Sequence, residues 1–105
     1  MTFTGTEDHS ITLNDAKILT KNYRNDQGEG AFLAGYFGKK AISDILGQTN
    51  CVGVRIYMAL DSNGDEKFVI VGVDANEDDL YNGTIAEFSI GCPPRCPSSS
   101  PLAGT

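Results

Sequence analysis

Two apolar runs, Cys51 to Leu60 and Lys67 to Asp74, flank the polar segment Asp61-Ser62-Asn63-Gly64-Asp65-Glu66, and the pattern predicts a β-hairpin. Asn63-Gly64 suits the centre of a type I′ turn, where both residues need positive φ. That turn sets an expected register: Leu60 faces Lys67, Met58 faces Val69, Ile56 faces Val71 and Val54 faces Val73. One face then carries Val54, Ile56, Met58, Val69, Val71 and Val73, and a slip of one residue would turn them all over. On the other face Tyr57 opposes Ile70 and Ala59 opposes Phe68, and only Arg55 is clearly polar.

The flanking chain supplies helices before the hairpin and a strand after it. Thr12 is a good N-cap, Asp15 follows three residues later, and Ile11 with Ala16 could form a hydrophobic staple. Leu13, Ala16, Leu19, Thr20 and Tyr23 then recur on one side, so a helix is expected from about 13 to 25. Asn25 to Gly30 has loop composition. Ala31 to Phe37 reads as a short extended segment, and a second helix is expected from Gly38 or Lys39 to Leu46, with Gly47 at a left-handed C-cap. Lys39 and Lys40 sit at the positive end of that helix dipole, a local conflict that could matter for a partner. After an acidic connection at 74–79, Thr84 to Ile90 reads as a third strand in which Ala86, Phe88 and Ile90 alternate. No internal repeat stands out.

Helices followed by strands segregate into an α+β domain. The expected architecture is two helices on one face of a three- to four-stranded antiparallel sheet, with Val52–Leu60 and Lys67–Val73 as its central hairpin. A single domain would span 1–91, with a loose segment at 1–10, and residues 92–105 would form a Cys/Pro/Ser-rich tail, because so many prolines cannot continue a strand. If the helices cover the aliphatic face, then Arg55, Tyr57, Phe68 and Ile70 are left as an outer face. An exposed apolar face of this kind points to an interface with a second copy or another protein. The competing reading is that the N-terminal segment or the tail folds across it.

Charge narrows the partners. Eight basic against fourteen acidic residues give a net charge of −6, a field that repels phosphate backbones, so nucleic acid is not an expected partner. The N-terminus lacks a positive region followed by an apolar run, and no stretch approaches the roughly 20 apolar residues that cross a bilayer. A cytoplasmic location is therefore the default expectation, with no membrane partner.

Candidate chemistry is sparse. Cys92 and Cys96 flank Pro93-Pro94-Arg95; they could close a small disulfide, remain as structural thiols, or supply two metal ligands completed by Cys51 or His9. Their spacing is not the Cys-x-x-Cys of thioredoxin-like motifs. Asp61-Ser62-Asn63-Gly64-Asp65 has oxygens at the first, third and fifth positions of a calcium loop, but Glu66 and Gly72 stand where that loop needs Gly and Glu, so a turn is expected. His9 is the only histidine, and no phosphate loop is present, so neither an enzyme nor a bound cofactor is expected. Pro94-Arg95-Cys96-Pro97 matches a bare PxxP pattern, for which a stiff surface tail is the plainer reading.

The run Lys40-Ala41-Ile42 to Ile45-Leu46, then Cys51-Val52-Gly53-Val54-Arg55-Ile56-Tyr57, Val69-Ile70-Val71-Gly72-Val73-Asp74 and Cys92-Pro93-Pro94-Arg95-Cys96-Pro97, resembles a group of small bacterial proteins, chiefly from Bacteroidota. The resemblance covers most of the chain. It implies that the sheet and the Cys-Pro-Pro-x-Cys-Pro tail belong to one unit, and it carries over no activity, cofactor, partner or functional residue. The expectation from the whole sequence is a non-enzymatic interaction or self-assembly module; the alternative is a small thiol-redox or metal-binding protein built on Cys92 and Cys96.

Overall fold

The computed structural model describes residues 1–87 and 89–105. It is an α+β structure in the order α1 (Leu13–Gln27), β1 (Ala34–Tyr36), α2 (Lys39–Leu46), β2 (Gly53–Leu60), β3 (Glu66–Val73), β4 (Ile85–Ala86) and β5 (Ile90–Cys92). The strands form two sheets, β2-β3-β4 and β1-β5. The chain divides into two compact units, one of 1–7 with 36–89 and one of 8–35 with 90–105. This division differs from a domain at 1–91 with a tail at 92–105: the hairpin sheet lies in the first unit and the Cys-Pro segment in the second.

In the second unit α1 starts where its cap chemistry dictates. The Thr12 hydroxyl accepts from the Asp15 N–H at 3.0 Å, and the helix stops at Gly28, whose N–H still bonds the Arg24 carbonyl and whose φ of 84° then turns the chain out of the helix. None of its residues is buried, and Leu13, Leu19 and Tyr23 of the expected apolar stripe stand exposed. β5 ends at Cys92, followed by two consecutive cis peptide bonds at Pro93 and Pro94.

In the first unit α2 has the expected span and Gly38 as N-cap, and Lys40 pairs with Asp44 one turn on at 2.6 Å. Gly47 is not left-handed: its φ of −77° continues the helical sense, and the positive φ falls at Asn50. Ile45 is fully buried, and with Ile70, Val71 and Val73 it forms the core of this unit. The N-terminal segment is tied alongside by the Phe3 N–H, which donates to the Ala75 carbonyl at 3.0 Å.

The hairpin forms, but its register is one residue from the expected one. Leu60 pairs with Glu66, Ala59 with Lys67, Met58 with Phe68, Tyr57 with Val69, Ile56 with Ile70 and Arg55 with Val71. The cause is the loop. Asp61 and Asp65 close a three-residue connection, in which the Gly64 N–H returns to the Asp61 carbonyl at 3.0 Å and Gly64 alone takes positive φ, 82°. The Asp61 carboxylate accepts from the Asn63 and Asp65 N–H groups at 2.8 and 2.9 Å, which fixes a turn followed by a glycine bulge in place of the two-residue type I′ turn.

The same device recurs after β3. Asp74 accepts from the Asn76 and Asp78 N–H groups at 2.9 and 3.0 Å, and Glu77 occupies the position of Gly64 with φ of 73°. Asp61-Ser62-Asn63-Gly64-Asp65 and Asp74-Ala75-Asn76-Glu77-Asp78 are therefore two copies of one turn, and their carboxylates serve backbone N–H groups. The second turn brings Asp79 opposite Val73. β4 joins β3 antiparallel, as expected, but only over Ile85–Ala86; Phe88 lies outside the described residues, and Ile90 belongs to β5.

Candidate functional site

Because paired residues share a face, the observed register redistributes every side chain of the hairpin. One face carries Arg55, Tyr57 and Ala59 with Val69, Val71 and Val73; the other carries Val54, Ile56, Met58 and Leu60 with Phe68, Ile70 and Gly72. The expected outer face is thus split: Arg55 and Tyr57 lie on one side of the sheet, Phe68 and Ile70 on the other. Ile70 is buried and Phe68 half-buried, so they do not join Arg55 and Tyr57 in a single surface.

On the first of these faces Asp79 collects the polar groups. Its carboxylate accepts from the Arg55 guanidinium and from the Tyr57 hydroxyl, and the same guanidinium reaches the Glu77 carbonyl at 3.4 Å. Arg55 sits opposite Val71 and Asp79 opposite Val73, so the ion pair spans β3 and ties the edge strand to the second turn. Arg55 and Tyr57 are thereby engaged within the chain. Asp79 was legible only as part of the acidic connection at 74–79, read as a solvated loop; the repeated Asp-x-Asn-x-Asp signal could have placed it opposite Val73.

The cluster makes stability depend on pH at both ends. The Tyr57 hydrogen bond, then the Arg55 guanidinium, holds the Asp79 carboxyl below its ordinary 3.8. The carboxylate, with burial adding to it, raises the Tyr57 hydroxyl above 10.0. A depressed acid contributes stability that is complete above pH 3.8 and lost as pH falls through its folded value. A raised hydroxyl contributes below pH 10.0 and is lost as pH rises through its folded value. Urea midpoints measured against pH should show the wild type above Asp79→Asn on a plateau between these limits, with the gap closing at either end. A gap independent of pH would separate the cluster from stability.

The other face is occupied by α2 over part of its width. Gln48, which follows α2, lies over Gly72, where an added Cβ would stand 2.9 Å from its Nε2, so the helix side is the side of Ile70 and Gly72. Gln48 donates to the Ile45 carbonyl at 2.9 Å and accepts from the Thr84 N–H at 2.8 Å, joining the end of α2 to the approach to β4. Beside it is an open cavity of about 370 Å³ lined by Gln48, Thr49, Asp79, Leu80 and Tyr81. Towards β2 the covering stops: Val54, Ile56, Met58 and Leu60 are 40%, 55%, 65% and 69% exposed. Among the described residues β2 is also the outer strand of its sheet.

In the second unit Cys92 and Cys96 form a disulfide with Cα atoms 4.7 Å apart, and Cys92 is buried. A second open cavity of about 580 Å³ lies beside it, lined in part by Arg24, Gly28, Leu33, Pro93 and Cys96. Arg24 donates to the Leu102 carbonyl at 2.7 Å, which holds the end of the chain against α1. Cys51 is a free thiol in the first unit, directed at the Gly53 carbonyl. Among the described residues no three of the His, Cys, Asp and Glu side chains converge as a metal site, and no helix is long and apolar enough to cross a membrane.

No family model, curated protein or solved structure matches the chain.

Proposed function

We infer that the protein is a non-enzymatic self-assembly module whose contact surface is the apolar stripe of the β2 edge, Val54, Ile56, Met58 and Leu60. The observation that carries this reading is the coincidence of four exposed aliphatic side chains with an outer strand, an arrangement that sheet proteins ordinarily blunt with charge or proline. β2 contains neither an acid nor a proline, and its one base, Arg55, is held by Asp79 on the opposite face.

The stripe replaces the face of Arg55, Tyr57, Phe68 and Ile70 as the proposed surface. The Cys92–Cys96 bridge supports a structural role for those thiols in place of metal binding.

The test is solution mass by light scattering across a concentration series, in reductant and without it. A defined oligomer that persists in reductant is expected, and Met58→Asp should convert it to a monomer with unchanged circular dichroism, because Met58 contributes little to the core. A wild type that remains monomeric at high concentration would overturn the reading.

A further inference from the structure

The hydrogen-bond parity of the hairpin decides how a second copy would meet this edge. Asp61 donates its N–H to the Asp65 carbonyl, so Asp61 and Asp65 are a hydrogen-bonded pair, and such pairs recur at every second position along an antiparallel ladder. Ala59, Tyr57 and Arg55 therefore turn their backbone groups inward to β3. Val54, Ile56, Met58 and Leu60 turn theirs outward, so the residues with exposed apolar side chains are also those whose N–H and C=O groups, among the described residues, have no partner at the sheet edge.

We propose that two copies pair antiparallel through β2 about a two-fold axis at Tyr57, with Val54 opposite Leu60 and Ile56 opposite Met58, to make one continuous six-stranded sheet. This rests on the self-assembly reading and adds the partner strand and its register. Only outward-facing residues can bond across the seam, so the register shifts in steps of two. Centring on Tyr57 pairs all four outward residues with one another; centring on Ile56 or Met58 leaves Leu60 or Val54 without a partner from that set.

Charge agrees with the choice. Each copy carries −6, yet no acid lies on β2, and the Tyr57-centred register sets each Arg55 opposite an Ala59, away from its own counterpart. The opposite edge of the sheet, β4, spans only Ile85–Ala86 and offers too short a template. The two apolar stripes then lie side by side on one face, and each covers the other's flank. This is an isologous contact, which closes at two copies and leaves no growing end on β2.

Two measurements test it. In a Cys51→Ser background, Ile56→Cys, Tyr57→Cys and Met58→Cys are oxidised separately and followed by non-reducing electrophoresis. At the axis the two Tyr57 positions face each other as a non-hydrogen-bonded pair, with Cα atoms about 4.5 Å apart, within disulfide reach. Tyr57→Cys should cross-link at least about tenfold faster than the other two. Faster cross-linking at Ile56→Cys or Met58→Cys would overturn the register. The second measurement needs no variant: amide exchange of the wild type at concentrations above and below the association midpoint. The N–H groups of Val54, Ile56, Met58 and Leu60 should slow at least about tenfold on association. An oligomer whose β2 amides stay fast would overturn β2 pairing while leaving self-assembly standing, and a monomer at all concentrations would overturn both.

Discussion

Replacing Ile45 with Ala is expected to cost the first unit about 2–5 kcal/mol, the range for truncating a buried aliphatic side chain where the surroundings collapse only in part. Ile45 is 0% exposed, and among the described residues it is the one large side chain wholly removed from water. The core on its side of the sheet is small: of the other buried aliphatic residues in that unit Ile70 shares the helix side, while Val71 and Val73 lie on the opposite face. Few neighbours are available to move into the space. The substitution also acts where α2 is anchored, because the Ile45 carbonyl accepts the Gln48 side chain and Gln48 in turn holds Thr84. For a unit of this size the loss corresponds to a fall of about 10 °C or more in the thermal midpoint. Ile45→Val, which keeps most of the volume, should cost about 0.5–1.5 kcal/mol. Urea and thermal unfolding of both variants check the prediction; an Ala variant within 1 kcal/mol of wild type would show that the centre of the core lies elsewhere.

Local chemistry made the elements readable. Thr12 and Asp15 open α1 where a cap should, α2 takes the expected span to Leu46, and the polar segment between two apolar runs gives the hairpin. The α+β class followed from their order. α1 runs to Gln27, two residues beyond the expected end, and stops at Gly28, the first residue after its start with positive φ.

Pairing was less readable, since it hinged on one carboxylate. Asn63-Gly64 is the strongest two-residue hairpin signal, yet Asp61 can satisfy two N–H groups only in the longer loop, and that preference moves the register by one. The consequence was large: the four residues grouped as an outer face separated onto two sides of the sheet, and an aliphatic stripe took their place. The division of the chain into two units was not legible either. Ile90 continues the alternation of Ala86, but alternation specifies a strand and not the sheet it joins, and β5 pairs with β1.

The central strand carries a glycine within Val69-Ile70-Val71-Gly72-Val73, where glycine ordinarily weakens a strand. Here the glycine makes room. Gly72 is buried and pairs with Val54, and its carbonyl accepts the Leu80 N–H at 2.8 Å. A Cβ at this position would stand 2.9 Å from Gln48 Nε2, 3.0 Å from Cys51 Sγ and 3.3 Å from Leu80 Cδ1. Gln48 has little freedom to retreat, since both ends of its amide are bonded, and Leu80 is fixed through its own N–H to β3. Gly72→Ala is therefore expected to lose about 1–3 kcal/mol, the cost of overpacking. The backbone of Gly72 lies outside the positive-φ region, so the loss comes from space alone and should be relieved by making space. Cys51 is the neighbour that can be shortened without breaking the Gln48 link. In the Cys51→Ala background the same Gly72→Ala change should cost at least about 0.5 kcal/mol less than in wild type, a coupling measurable by urea unfolding of the four proteins in the cycle. Strict additivity would show that the thiol is not the obstacle and would assign the strain to Gln48.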